Sequence, residues 1–154
     1  MLLIVVVSCV VVLLAIVLIK RKRDREELEQ HGITPEDLHT LLTSNQDVAL
    51  YDVRLPLDLL GDSVVIPGAE WLAPTDVIAN PWLIARDRDA IVYCTCASEK
   101  TARAVLRRAM AMGFMRVRIL KGGIEGWKSK GFPVEPYNKP FHLGSGGSTS
   151  VAAG

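Results

Sequence analysis

The sequence predicts a small α/β domain with a mostly parallel sheet, preceded by one transmembrane helix. Three observations carry this expectation. Apolar runs of strand length recur at 47–53, 90–94 and 116–120. Segments with helical spacing separate them, the alternation that a parallel sheet with crossover helices requires. Near the start, LLIVVVSCVVVLLAIVLI (2–19) runs for about eighteen residues without a charge. A length of 154 residues suits one domain with appendages.

The elements follow in order. The apolar run is long enough for a short membrane helix, and Lys20-Arg21-Lys22-Arg23 comes directly after it. A secretory signal peptide, the competing reading, carries its positive charges before the apolar run and a small-residue cleavage site behind it. The order here is the reverse. The positive-inside rule then predicts a single-pass anchor (1–19) in the cell (inner) membrane, with the rest of the chain in the cytoplasm. The basic cluster would sit at anionic headgroups, and Cys9 would be a small apolar residue in the span. Residues 20–32 form a charged, helical juxtamembrane linker ended by Gly32.

Thr34-Pro35-Glu36-Asp37 reads as a helix start, with a hydroxyl N-cap, proline at the first helical position and acids in the first turn. Leu38, Leu41 and Leu42 share one face of that helix. DVALYDV (47–53) is a strand, and 55–69 a loop-rich passage ending in Ile66-Pro67-Gly68-Ala69. Thr75 to Arg86 reads as a helix interrupted near Pro81. AIVYC (90–94) is a short buried strand. Glu99 to Met112 is a helix with Ala102, Leu106, Ala109 and Met110 inward, Arg103, Arg107 and Arg108 outward, and Gly113 as its C-cap. RVRIL (116–120) is a further strand, followed by Gly122-Gly123 and a short helix around Trp127. The Gly/Ser-rich end (137–154) reads as a flexible tail.

Composition narrows the function classes. A net charge of +1 provides no general electrostatic case for nucleic acid or another highly charged partner. The three cysteines, Cys9, Cys94 and Cys96, imply no disulfide framework, because Cys94 and Cys96 are too close for an unstrained bridge. That pattern suits a reducing compartment. Cys94-x-Cys96 has no second ligand pair, and His31, His39 and His142 are remote in sequence. No metal site is expected, and each histidine reads as exposed.

The junction AIVYCTCASEKTARAV (90–105) carries the chemistry. In a parallel α/β sheet ligands bind beyond the carboxyl ends of the strands, where helix N-termini point. Unpaired backbone N–H groups and the positive end of a helix dipole then face the thiols and stabilise a thiolate, a persulfide or a bound oxyanion. A thiol so placed has a lowered pKa and is nucleophilic near neutral pH. The competing reading is a pair of buried structural cysteines.

Residues 33–136 resemble a rhodanese-like (sulfurtransferase) domain. ALYDVR (49–54) resembles the family's strand ending in Asp-x-Arg, IPGA (66–69) its turn, IVYC (91–94) its active-site strand, and LKGGIEGW (120–127) its closing signature. The resemblance implies a three-layer fold and no metal or organic cofactor. It also implies a cysteine that accepts sulfane sulfur as a persulfide and passes it to a thiol or protein acceptor. The substrate-binding loop would comprise Thr95, Ala97, Ser98, Glu99, Lys100, Thr101 and Arg103 beside the catalytic Cys94 and Cys96.

The chain departs from the family pattern in three places. Val64-Val65 replaces the usual Gly-His before the turn. The loop TCASEK lacks the usual glycine and arginine, and its Glu99 would oppose an anionic substrate. The third departure is the second cysteine. Counting from the strand end puts the nucleophile at Cys94, whereas counting back from Gly113-Phe114 puts it at Cys96, with Thr101 at the loop's end. The strand end favours Cys94, because a loop absorbs an insertion easily. Cys96 would then be a resolving thiol or second sulfur carrier.

The loop also resembles that of Cdc25-type phosphatases and arsenate reductases, with Lys100 or Arg103 in place of the arginine that grips phosphate. Lysine lacks the bidentate fork. Asp52 and Arg54 are expected to form a structural ion pair near the site, and Trp71, Trp82 and Trp127 to be buried. The expected function is membrane-anchored transfer of sulfane sulfur from a donor such as thiosulfate. The alternative is a non-catalytic interaction module of the same fold at the membrane.

Overall fold

A computed structural model of the protein describes residues 1–95 and 99–139, except for the side chains of Leu2 and Leu3. The expectations for Cys96, Ala97, Ser98 and His142, and for the tail beyond residue 139, lie outside the described residues. The chain divides into two compact units, 1–32 and 33 onward.

The first unit is one helix, α1 (Leu2–His31), in which the apolar run and the charged linker form a continuous rod. By length and composition it can cross a membrane. It ends at Gly32, whose φ of −82° is extended rather than left-handed.

The second unit is built on a five-stranded sheet of order β1-β6-β5-β2-β4. Its strands are β1 (Gly32–Ile33), β2 (Val48–Asp52), β4 (Glu70–Trp71), β5 (Asp89–Tyr93) and β6 (Val117–Leu120). The pairs β2/β4, β2/β5 and β5/β6 are all parallel. Ala49, Leu50 and Tyr51 in β2, and Ala90 to Tyr93 in β5, are all buried. Near-continuous apolar runs of this kind suit strands covered on both faces. The pairing of Asp52 with Tyr93 brings the carboxyl ends of the two central strands level.

Helices are placed by local signals. In α2 (Pro35–Thr43), the Thr34 side chain accepts the Asp37 N–H at 3.1 Å, and Pro35 occupies the first helical position. Helix α5 (Lys100–Ala111) buries Ala102, Val105, Leu106 and Ala109. It stops in a Schellman motif, with Gly113 at φ +82° donating to Met110 O and Phe114 N–H donating to Ala109 O. Helix α6 (Gly123–Ser129) delivers Trp127 to the core beside Leu38, Tyr93 and Leu120.

The structure adds elements to passages read as loop. Residues 55–69 contain α3 (Pro56–Gly61) and β3 (Val64–Val65). Strand β3 pairs antiparallel with β7 (Glu135–Pro136), and Tyr137 extends the pairing by donating its N–H to Ser63 O at 2.9 Å. These strands are two residues long, below the length at which alternation is visible. The helix expected to break near Pro81 is α4 (Pro74–Ala79) followed by a 3₁₀ turn at Pro81–Leu83.

Several aromatic expectations are corrected: Trp71 is half-buried rather than buried, and His31 half-buried rather than exposed. Trp82 is 59% exposed rather than buried. The 3₁₀ turn points it outward, where it meets Phe114 edge-on and carries the Arg86 guanidinium 5.4 Å above its ring. His39 is half-buried rather than exposed, stacked on Phe132 at 4.2 Å.

Candidate active site

The site lies at the carboxyl ends of β2 and β5, where a parallel sheet exposes strand-end residues to loops and helix N-termini. Its floor is a buried polar network. Asp52 and Arg54 are both fully buried. Arg54 Nε lies 3.0 and 2.9 Å from the two Asp52 carboxylate oxygens, and Nη2 donates to Oδ2 at 2.6 Å. Nη1 and Nη2 also donate to the carbonyls of Asp62 and Val64, so the ion pair ties down the chain between α3 and β3. Burial pushes the Asp52 carboxyl up, and the Arg54 fork opposes that shift. Tyr93 completes the network: its hydroxyl accepts the Ile66 N–H at 3.2 Å. Burial and the neighbouring Asp52 charge hold its phenol well above the usual tyrosine range. Asp52 and Arg54 form the ion pair expected of them, fully buried and engaged with each other.

Cys94 follows β5 directly and is buried. Its carbonyl accepts the Ile124 N–H at 3.0 Å. Gly122 and Gly123, at φ +76° and +57°, turn the chain sharply after β6 to make that contact. A Cβ on Gly123 would lie 2.1 Å from Cys94 O, so only glycine permits the approach. In the sequence these glycines read as a tight turn and as part of the closing landmark. The turn is present, and the structure shows in addition what it packs against.

Glu99 lies at the other end of the loop. It is 2% exposed, adopts the left-handed conformation at φ 45°, and is the N-cap of α5. Its Oε1 accepts the Gly122 N–H at 2.8 Å, and its Oε2 accepts a bond from Arg103 Nη2 at 3.1 Å. Rather than pointing a bare charge at a substrate, the carboxylate is enclosed and paired. Arg103, expected on a solvated helix face, turns inward to meet it, with its side chain 11% exposed. Lys100 is exposed and Thr101 half-buried in the first turn of α5. Thr95 Oγ1 is buried without a hydrogen-bond partner. Among the described residues, no group of three or more His, Cys, Asp or Glu side chains could hold a metal ion.

The structure therefore brings Cys94 and Glu99 onto one turn, Gly122–Ile124, with Arg103 paired to Glu99. Trp71 lies at the edge, half-buried, donating its indole N–H to Arg54 O at 3.0 Å. Sequence reasoning singles out Gly122-Gly123 and the LKGGIEGW landmark without assigning them to the site. The signal available was a glycine pair at the carboxyl end of a strand in a sheet that places all such ends together.

Comparison with known proteins agrees with the fold. The pattern of the rhodanese-like domain family matches residues 34–130. A sulfurtransferase of Allochromatium vinosum is 33% identical over 103 residues, which are 66% of this chain and 92% of that protein. A probable adenylyltransferase/sulfurtransferase MoeZ of Mycobacterium tuberculosis is 37% identical over 99 residues, covering 62% of this chain and 24% of that longer protein. Among solved structures, a rhodanese-related protein from Thermoplasma volcanium has a TM-score of 0.55 at 22% identity, covering 68% of this chain and 97% of that one. With fold and relatives in agreement, the chain belongs to the rhodanese-like domain family, among relatives named as sulfurtransferases.

Proposed function

We propose that the protein is a membrane-anchored sulfurtransferase that carries sulfane sulfur on Cys94. The observation that carries this reading is the position of Cys94: it ends the central strand β5, and its carbonyl is held by the Gly122–Ile124 turn. In the loading step the Cys94 thiolate attacks the sulfane sulfur of a donor such as thiosulfate. A new S–S bond forms, the donor's S–S bond breaks, and sulfite leaves with the electron pair. In the discharge step an acceptor thiolate attacks the outer sulfur, and Cys94 leaves as thiolate. The N-terminal turn of α5 stabilises the anionic forms of Cys94, and the buried Thr95 hydroxyl offers a hydrogen bond in the same loop. Cys96 serves as a resolving thiol or second carrier. Lys100 lacks the bidentate fork that grips phosphate, which disfavours the phosphatase-like alternative.

The anchor is α1, supported by its length and apolar composition. The basic residues 20–23 directly after the apolar run support a cytoplasmic side for the domain.

The test uses the full chain in detergent micelles. Incubation with sulfane-sulfur donors should add one sulfur atom to the protein by mass and release thiocyanate in the presence of cyanide. Cys94→Ala should abolish both. Absence of any adduct with every donor would leave the non-catalytic interaction module as the better reading. Loss confined to Cys96→Ala would move the nucleophile to that residue.

A further inference from the structure

The edge strand β4 borders a cleft of about 410 Å³ that the chemistry at Cys94 does not use. Trp71 and Tyr137 form one corner of it, with ring centroids 6.5 Å apart at 69°. The bond from the Trp71 indole to Arg54 O fixes the first ring. Leu72 and Leu83 add apolar wall, and Glu70 and Asp76, both exposed, line it as well.

Strand register places this cleft beside the site. Trp71 pairs with Asp52, and Asp52 pairs with Tyr93. The Trp71 backbone is therefore two strand spacings, about 10 Å, from the residue before Cys94. Tyr137 agrees with that placement: burial first, and the Asp52 charge second, push its phenol up, so it stands within range of the site's floor.

The charge of the cleft selects its occupant. Asp76 accepts from the neighbouring Thr75 hydroxyl at 3.4 Å, and among the described residues neither Glu70 nor Asp76 forms an ion pair. A second cleft on the same edge shares Glu70, Tyr137 and Lys139 and adds the carboxylate of Glu135. Against these carboxylates stands one described cation of the lining, Lys139, which is exposed. Aromatic faces beside unpaired carboxylates attract a cation through the ring quadrupole and through charge. Leu72 and Leu83 suit the methylene stem of a lysine or arginine.

We propose that the Trp71–Tyr137 cleft is a docking subsite for a lysine or arginine side chain of a protein acceptor. This rests on the sulfur-transfer reading and names the kind of acceptor. Its thiol lies about three residues from the cation, since three extended residues span about 10 Å. In the discharge step that thiolate attacks the outer sulfur of the Cys94 persulfide. The new S–S bond forms as the Cys94 S–S bond breaks, and Cys94 leaves as thiolate with the electron pair. Any proton on the outer sulfur travels with it.

The full chain in detergent, loaded with thiosulfate or glutathione persulfide, is discharged to two peptides, N-acetyl-Cys-Gly-Gly-Lys amide and N-acetyl-Cys-Gly-Gly-Glu amide. The kcat/KM should favour the lysine peptide by about tenfold, as two exposed carboxylates attract one peptide and repel the other. That ratio should fall at high ionic strength. The double variant Glu70→Gln/Asp76→Asn should bring it to about twofold or less. Because the variant meets the same two peptides, it also corrects for the intrinsic reactivity of their thiols. Both positions are exposed, so the substitutions leave the core intact. Lys139→Ala should raise the ratio by removing a like charge. Equal use of the two peptides by the wild type, the result expected if chain beyond residue 139 fills the cleft, would overturn the proposal. So would a ratio unmoved in the double variant. Failure of the transfer reading has a different signature, no sulfur adduct from either donor, whereas failure of this one leaves a loaded protein that discharges without preference.

Discussion

Glu99 Oε1 and the Gly122 backbone N–H lie 2.8 Å apart across 23 residues of sequence. With the Ile124 N–H bond to Cys94 O, this contact makes the loop and the turn one unit. Gly123 sits between the two bonds at φ +57°, with Cys94 O where a Cβ would go. Gly123→Ala should cost about 2 kcal/mol or more from the left-handed backbone and the overlap together. It should also lose sulfur loading. Thermal unfolding and adduct mass check the two effects, and a variant as stable as the wild type would refute the packing. Gly61, with open space where its Cβ would go, is the control: Gly61→Ala should stay within about 1 kcal/mol of the wild type.

The Asp52–Arg54 pair should behave as a buried bridge broken from one side. Arg54→Met leaves Asp52 fully buried without its guanidinium and frees the carbonyls of Asp62 and Val64. A loss of about 3–5 kcal/mol in urea unfolding is expected. A loss below about 1 kcal/mol, the range of exposed pairs, would mean the pair is solvated.

Tyr93 predicts an alkaline loss of stability. Its folded-state pKa is raised, by burial first and then by Asp52, above the unfolded value of 10.0. Above pH 10 the unfolded chain therefore releases this proton while the native state keeps it, so stability falls as pH rises. The slope from this one group approaches about 1.4 kcal/mol per pH unit. Tyr93→Phe should remove that component from the pH profile of chemical denaturation. Parallel wild-type and variant profiles above pH 10 would contradict the burial of this hydroxyl.

The tryptophans should separate cleanly. Trp127 is 1% exposed and donates its indole N–H to Pro133 O at 2.8 Å, so Trp127→Ala should cost about 3–5 kcal/mol. Trp82 is 59% exposed, and Trp82→Ala should cost about 1 kcal/mol or less, chiefly the lost contacts with Phe114 and Arg86. Fluorescence-monitored melts of the two variants decide the ranking.

What the sequence determined by itself are the features that depend on neighbours along the chain. Apolar runs mark β2, β5 and β6, Thr34-Pro35 marks the start of α2, Gly113 marks the end of α5, and eighteen uncharged residues mark a helix able to cross a membrane. The family landmarks added a three-layer fold and the cysteine at a strand end, whereas the order of the strands came only from the structure. Contacts between residues distant in the chain were decided only by the tertiary structure. In sequence, Glu99 reads as a negative charge beside a nucleophile; folded, it is a paired N-cap bonded to Gly122. In sequence Arg103 belongs to a polar helix face, whereas in the fold it is drawn inward by that carboxylate. Strands β3 and β7 are too short to show a period and exist only because each finds the other. The physical reason is common to all three. A local pattern records which side chains prefer water, while the partner that makes burial of a charge or a backbone group favourable is supplied by chain closure.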